Sequence, residues 1–131
     1  MTLASEIVGR ALLRIGVSPI SQEPEAADAA LTLVAMNEVM HGFKARGADL
    51  THTTLNAADT FNLPAEFEGA IADLTADHVA SNYGVRHPNP NDVRRARQAI
   101  MARYHVQAAL VVDEGLKVMP QQYWAGQRSI Y

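Results

Sequence analysis

The chain has 131 residues, which is enough for one domain with a single core but not for two. Its net charge of −3 argues against tight, sequence-reading DNA binding, although DNA could still slide past such a surface. Because cysteine is absent, disulfides, thiolate metal sites and a cysteine nucleophile are excluded. The N-terminal apolar stretch is short and is interrupted by Glu6, Arg10 and Arg14. It therefore resembles neither a signal peptide nor a membrane span, and we expect an intracellular, soluble protein with no membrane partner.

The first part of the chain carries two amphipathic helices, separated by a loop that contains serine and proline. Thr2 or Ser5 can begin the first helix, and Gly16 ends it. Pro24 suits the first turn of the second helix, and Gly47 ends that helix. At helical spacing, the two apolar faces consist of Ala4, Val8, Ala11, Leu12 and Ile15, and of Ala29, Leu33, Met36, Met40 and Phe43.

Residues 49–62 lack helical periodicity. Apolar and polar residues alternate from Leu50 to Leu55 and again from Thr60 to Leu63, which predicts two short extended pieces. A small hairpin and a long ordered loop fit this pattern equally well. Strands this short are barely stable alone, so we expect the segment to pack on the helices or to pair with a neighbour.

Two further helices are predicted after this segment. Pro64 opens the third helix and Gly84 closes it, while Asn89 caps the fourth helix and Pro90 begins it. The fourth helix is predicted to run to about Ala109. Its apolar face and that of the third helix consist of Val93, Ala96, Ile100 and Tyr104, and of Phe67, Ile71, Leu74 and His78. The chain is therefore predicted to be all-α: a small four-helix bundle over residues 1–109 with a hairpin or extended loop between the second and third helices.

The last segment, residues 110–131, is predicted to be an extended C-terminal arm. It is irregular and holds the only tryptophan, Trp124, whereas a tail without a partner is normally polar and poor in aromatic residues. Such a segment either folds back over its own domain or reaches another molecule. Fully extended, it spans about 70 Å, compared with about 26–30 Å for the width of the domain, which favours an arm. Its candidate partner-binding residues are Leu116, Val118, Met119, Tyr123, Trp124, Arg128, Ile130 and Tyr131.

The sequence contains no catalytic signature. The histidines are scattered and form no HExxH motif, and there is neither a nucleophile motif nor a glycine loop for phosphate. Asp73, Asp77 and His78 come closest to a metal or acid–base site, because the two carboxylates share one helix face. Such a group is common on solvated helices. We therefore predict no catalytic residue, no metal, no cofactor and no enzyme activity, with a metal-dependent hydrolase as a rival hypothesis.

A cluster of arginines on the fourth helix is the only basic feature. Arg94, Arg95 and Arg97 point to different sides of the helix, so they form no single stripe. The third helix offers acidic partners in Glu66, Asp73 and Asp77. We predict that these six residues form ion pairs within a subunit or between subunits, in preference to phosphate contacts. Such pairs add little to stability but can set the register between identical copies.

The pattern of helix ends resembles the head-to-tail connector (adaptor, or head-completion) proteins of tailed bacteriophages and related gene transfer agents. Among these, the chain looks most like the packaged-DNA-stabilisation, or tail accessory, proteins of short-tailed phages. The resemblance covers roughly residues 3–109. The segments that carry it are Ala4–Val17, Glu25–Leu31, Met40–Gly47, Asn62–Glu68 and Asn82–Gly84.

This resemblance implies a structural virion protein of the neck, present in the host cytoplasm during assembly. It implies a ring of twelve copies docked on the portal protein, a channel that passes double-stranded DNA without reading its sequence, and a tail or nozzle protein bound below. Such a ring helps to retain the packaged DNA, and family C-terminal arms run against the portal. The alternative is a small helical DNA-binding regulator, in which the arginines of the fourth helix contact phosphates.

Overall fold

The computed structural model describes residues 2–18 and 24–105 of the chain. In this part the protein is helical and contains no strand, so the predicted all-α class is confirmed. The predicted C-terminal arm, residues 110–131, lies outside the described residues. The helices are α1 (Ala4–Arg14), α2 (Ala26–Ala45), α3 (Glu68–Ala80) and α4 (Pro90–Tyr104).

The third helix, α3, occupies the centre of the fold, because it packs against each of the other three helices. A single-turn 3₁₀ helix, Ala65–Phe67, leads into it, and a second one, Ser81–Tyr83, follows it. The predicted apolar faces are largely confirmed as core. His78 is an exception, because its side chain remains 49% exposed. The largest fully buried side chains are Ile7, Leu12, Met36, Met40, Phe43, Ile71, Val79 and Ile100.

Glycine and proline mark the helix ends largely as predicted. Gly16, Gly47 and Gly84 have φ angles of 75°, 92° and 66°, in the left-handed region that glycine enters without steric penalty. Pro90 is the first residue of α4, with Asn89 at the cap position. Pro24, by contrast, precedes the cap of α2 and lies outside its first turn.

The first helix is capped by backbone groups, which corrects the prediction that Thr2 or Ser5 begins it. The cap residue is Leu3, whose side chain offers no acceptor. Two backbone carbonyl groups of the 49–63 loop accept hydrogen bonds from the start of the helix instead. The Asp59 carbonyl accepts from Ala4 N–H at 2.9 Å, and the Ala57 carbonyl accepts from Ser5 N–H at 3.1 Å. The loop thus satisfies N–H groups that a helix leaves without an intrahelical partner.

The segment between α2 and α3 is an ordered loop, and the hairpin alternative was wrong. Its backbone forms one turn, in which Asp59 N–H donates to the Asn56 carbonyl at 3.0 Å, and further bonds join it to the helices and their ends. The Asn37 side chain of α2 donates through Nδ2 to the Leu33 and Leu55 carbonyls at 3.1 and 3.0 Å, and its Oδ1 accepts from Leu55 N–H at 2.9 Å. Further along, Thr60 forms an isolated antiparallel bridge with Leu3.

The fourth helix ends at Tyr104, five residues before the predicted end at Ala109. The Tyr104 carbonyl accepts from Asp49 N–H at 3.1 Å, and His105 forms an isolated antiparallel bridge with Ala48. The extended conformation of His105, with ψ of 128°, takes the chain off the helical path. A tertiary contact therefore ends α4 where no helix-breaking residue stands in the sequence.

Candidate functional site

The predicted subunit-contact residues lie on α3 and α4 and on the 3₁₀ turn before α3. Glu66 and Asp77 are exposed to solvent, and Asp73 is half-buried. On α4, three arginines are exposed: Arg94, Arg95 and Arg97. Among the described residues, the structure pairs none of these arginines with an acid of α3.

Asp73 is held inside the subunit. Its Oδ1 lies 3.3 Å from Arg14 Nη1 and 3.0 Å from His87 Nε2. The same Arg14 nitrogen donates to the Gly69 carbonyl at 2.7 Å. With only 17% of its side chain exposed, this carboxylate joins α1, α3 and the turn before α4.

His87 is a buried member of this network that the sequence did not single out. Its side chain is 4% exposed, and its Nδ1 accepts from Asn89 N–H at 3.0 Å. Nδ1 is therefore the unprotonated nitrogen, and Nε2–H donates to Asp73. The ring fixes the proline-rich turn against α3. The only sequence signal for it was its position immediately before that turn.

A charged cleft of about 220 Å³ opens where α2, α3 and α4 meet. It brings Asp77 and His78 of α3 together with Arg97 of α4. Its other lining residues are Glu38, Val39, Gly42, Phe43, Arg46 and Leu74. The cleft thus combines an apolar floor with charges of both signs.

One ion pair forms in the cleft, and other charged side chains that line it have no ion-pair partner among the described residues. His78 Nε2 lies 2.9 Å from Glu38 Oε2, and both side chains are well exposed. Among the described residues, Arg46, Asp77 and Arg97 form no ion pair. Sequence reasoning missed Glu38 and Arg46, because only the tertiary structure brings them beside α3 and α4.

The structure separates the residues of the rival metal hypothesis. Asp73 binds Arg14 and His87, whereas Asp77 and His78 line the charged cleft. Within residues 2–18 and 24–105, no group of three or more histidine and carboxylate side chains is arranged to hold a metal. In the same part of the chain, no helix has the length and apolar character that crossing a membrane requires.

The arginines on α4 face different directions, as predicted. Arg97 lines the charged cleft, and Arg95 lies 4.0 Å from Asp92, one turn earlier on the same helix. Both groups of the Arg95–Asp92 pair are exposed, and such pairs contribute little to stability.

The predicted arm residues, from Leu116 to Tyr131, lie outside the described residues. Comparisons with protein-family models, curated proteins and solved structures find no match for this chain.

His52 attaches the 49–63 loop to α2 through a hydrogen bond of known direction. The Asn37 amide nitrogen is already a donor to backbone carbonyls, so its Oδ1 is the acceptor for His52 Nε2–H at 2.9 Å. His52 Nδ1 is buried and lacks a hydrogen-bond partner among the described residues. Burial lowers the pKa of His52, and the nearby His41 ring, with its centroid 4.5 Å away, lowers it further.

We expect this arrangement to weaken the fold below about pH 6.5, the ordinary histidine pKa. Below that pH the unfolded chain takes up a proton at His52, whereas the folded chain resists it until its lower pKa is reached. The unfolded state then binds more protons, so the free energy of unfolding falls as pH falls. Lys44 and Asp49 line the same small cavity of about 80 Å³, and their opposite charges act in opposite directions on a proton at His52.

The measurement is urea unfolding between pH 8 and pH 5 for the native protein and for His52→Gln, whose amide can donate the same hydrogen bond without titrating. The difference in stability between the two proteins should change across this range. His105→Gln alters an exposed histidine and serves as the control. A His52→Gln difference that stays constant with pH contradicts the assignment.

Proposed function

We propose that the protein is a structural adaptor of the head-to-tail connector kind, which assembles as a ring on a portal and extends the DNA channel. The observation that supports this best is a set of charged side chains on its surface that form no ion pair within the described residues. Acidic Glu66 and Asp77 and basic Arg94 and Arg97 are exposed, and no ion pair joins them within the described residues. Unpaired charges of both signs suit a contact between identical copies, in which acids of one copy meet arginines of the next.

Closed rings are built from head-to-tail interfaces, in which one patch meets a different patch on the next copy. Complementary charges at such an interface set the register and disfavour wrong pairings more than they add affinity. The charged cleft at the junction of α2, α3 and α4 offers a concave seat for this contact. Arg97 and Asp77 line it together with the apolar Phe43 and Leu74.

The charge of the whole chain fits a conduit for DNA. Phosphate contacts supply most of the affinity of proteins for DNA, and a net charge of −3 limits them. A mildly acidic channel lets DNA move through it without being held. In this proposal the ring of twelve copies helps to retain packaged DNA, and a tail or nozzle protein binds below.

The experiment that tests this proposal is to mix the purified protein with candidate portal rings and to image the product by electron microscopy. We expect added density of twelvefold symmetry on one end of the portal. Portal particles that remain bare with every candidate would overturn the proposal.

One observation favours the alternative, a small DNA-binding regulator. Arg103 is also exposed on α4. Among the exposed arginines of this helix, only Arg95 has a carboxylate partner in the described part of the chain, and that contact with Asp92 is weak. Phosphate groups could therefore approach them. Strong duplex binding that weakens steeply between low and moderate salt would support this alternative over the adaptor.

A further inference from the structure

An apolar groove between α1 and α2 is a concavity on the described surface that has no assigned role. It encloses about 590 Å³ and is lined mainly by small apolar side chains. Val8 lines it from α1, and Ala29, Ala30 and Leu33 line it from α2. A concavity of this size is in the range that holds aromatic or aliphatic groups.

The groove continues onto an exposed apolar face of α2. Successive residues of a helix are 100° apart, so Ala30 lies between the groove and the outward-facing Leu31 and Val34. These two side chains are 42% and 55% exposed. The first half of α2 is therefore apolar on nearly all sides, which is the pattern of a helix that becomes covered.

The rim of the groove is acidic. Glu6 lines it from α1, and the exposed Glu25 lies between the lining residues Pro24 and Ala26. An occupant suited to this surface would combine large apolar side chains with positive charge and would lack carboxylates.

The C-terminal segment of this chain has that composition. From Leu116 to Tyr131 its charged side chains are Lys117 and Arg128, and it contains no aspartate or glutamate. The same residues include aromatic and aliphatic side chains, with Tyr123 and Trp124 adjacent to each other. The positive charge of this segment therefore complements the acidic rim of the groove, and its apolar side chains suit the apolar lining.

The distance between the end of α4 and the groove can be bridged by the chain itself. His105 pairs with Ala48 just beyond the last turn of α2, and the groove lies along the first turns of that helix. The separation along α2 is about 20–30 Å at 1.5 Å per residue. Residues 106–115 can span up to about 33–36 Å. A short tether also gives an effective concentration in the millimolar range, which favours the chain's own segment over another copy in dilute solution.

We propose that residues 116–128 dock in the α1–α2 groove of their own subunit, with Trp124 or Tyr123 seated against the alanines of α2. This docking takes place in the free subunit and does not require a portal. If the arm also binds a portal, as proposed above, the two sites compete for the same aromatic residues, and docking exchanges one for the other.

Trp124 provides a direct test, because it is the only tryptophan in the chain. The emission maximum of the full-length protein should be shifted to the blue of its value in urea. Ala30→Lys, which places a bulky positive charge in the groove at an exposed helical position, should remove this shift. Ala99→Lys, at an exposed alanine of α4, should leave the shift unchanged. Circular dichroism confirms that both variants remain helical.

A second variant keeps the test decisive if Ala30→Lys fails to fold. Lys117→Glu changes only the arm, and it should reduce the blue shift by repulsion from the acidic rim. A native emission maximum equal to that of the unfolded chain overturns the proposal. So does a blue shift that appears only at the protein concentrations where light scattering detects oligomers, because the arm then lies in another copy.

Discussion

If the protein docks on a portal as proposed, deletion of residues 113–131 is expected to abolish that docking and to leave the helical bundle folded. The buried core that the structure describes is formed by residues between Ala4 and Ile100, all of which the deletion leaves in place. The aromatic residues of the arm, by contrast, are of the type that supplies most of the energy at interfaces. The loss of docking should therefore be complete, while the thermal unfolding transition remains cooperative.

Circular dichroism and co-sedimentation with portal rings measure the two outcomes separately. A finer variant, Tyr123→Ala combined with Trp124→Ala, should weaken docking by about 30-fold or more, since even one interface hot spot contributes about 2 kcal/mol or more. Gln121→Ala combined with Gln122→Ala is the matched control on the same segment and should have little effect. Unchanged docking by the truncated protein would falsify the role of the arm.

Asp73→Ala is expected to produce the largest loss of stability among single changes of exposed or half-buried charges, about 2–3 kcal/mol. The substitution leaves Arg14 and the buried His87 without the carboxylate that both of them contact. Because His87 Nδ1 is held by Asn89 N–H, the ring cannot simply turn to find another acceptor for Nε2–H. The turn before α4 should therefore loosen together with α1.

Urea unfolding provides the measurement, and Asp77→Ala provides the control. Asp77 lies one turn later on the same helix, is exposed and forms no ion pair among the described residues, so its removal should change stability by about 0.5 kcal/mol or less. Asp73→Asn, which keeps the shape but not the charge, should fall between the two. Equal effects of Asp73→Ala and Asp77→Ala would show that the network contributes nothing special.

Much of the helical layout could be predicted, because it depends on local chemistry. Gly16, Gly47 and Gly84 take left-handed φ angles that other residues avoid, and Pro90 is preorganised for the start of α4. The apolar residues at helical spacing became core for a similar reason, since burying one face requires only that a partner helix exist. These features depend on residues that are close to one another in the sequence.

The candidate site was less predictable, because charged residues respond to partners far along the chain. Asp73 and Asp77 looked equivalent by spacing, yet Arg14 and His87 hold the first, while the second faces the charged cleft. Arg14 is 59 residues before Asp73 in sequence, and no local pattern joins them. The arginines on α4 are exposed, as predicted, whereas their pairing with acids of a neighbouring subunit stays a prediction.

The sequence by itself therefore determined the all-α class, most of the helix ends and the composition of the apolar faces. Tertiary structure decided between the hairpin and the ordered loop in favour of the loop, because the Asn37 side chain bonds to both backbone groups of Leu55. It also decided the end of α4, which stops at Tyr104 because His105 pairs with Ala48. The physical reason is the same in both cases: backbone groups bond to whichever partner the packed helices bring close, and that partner is distant in sequence.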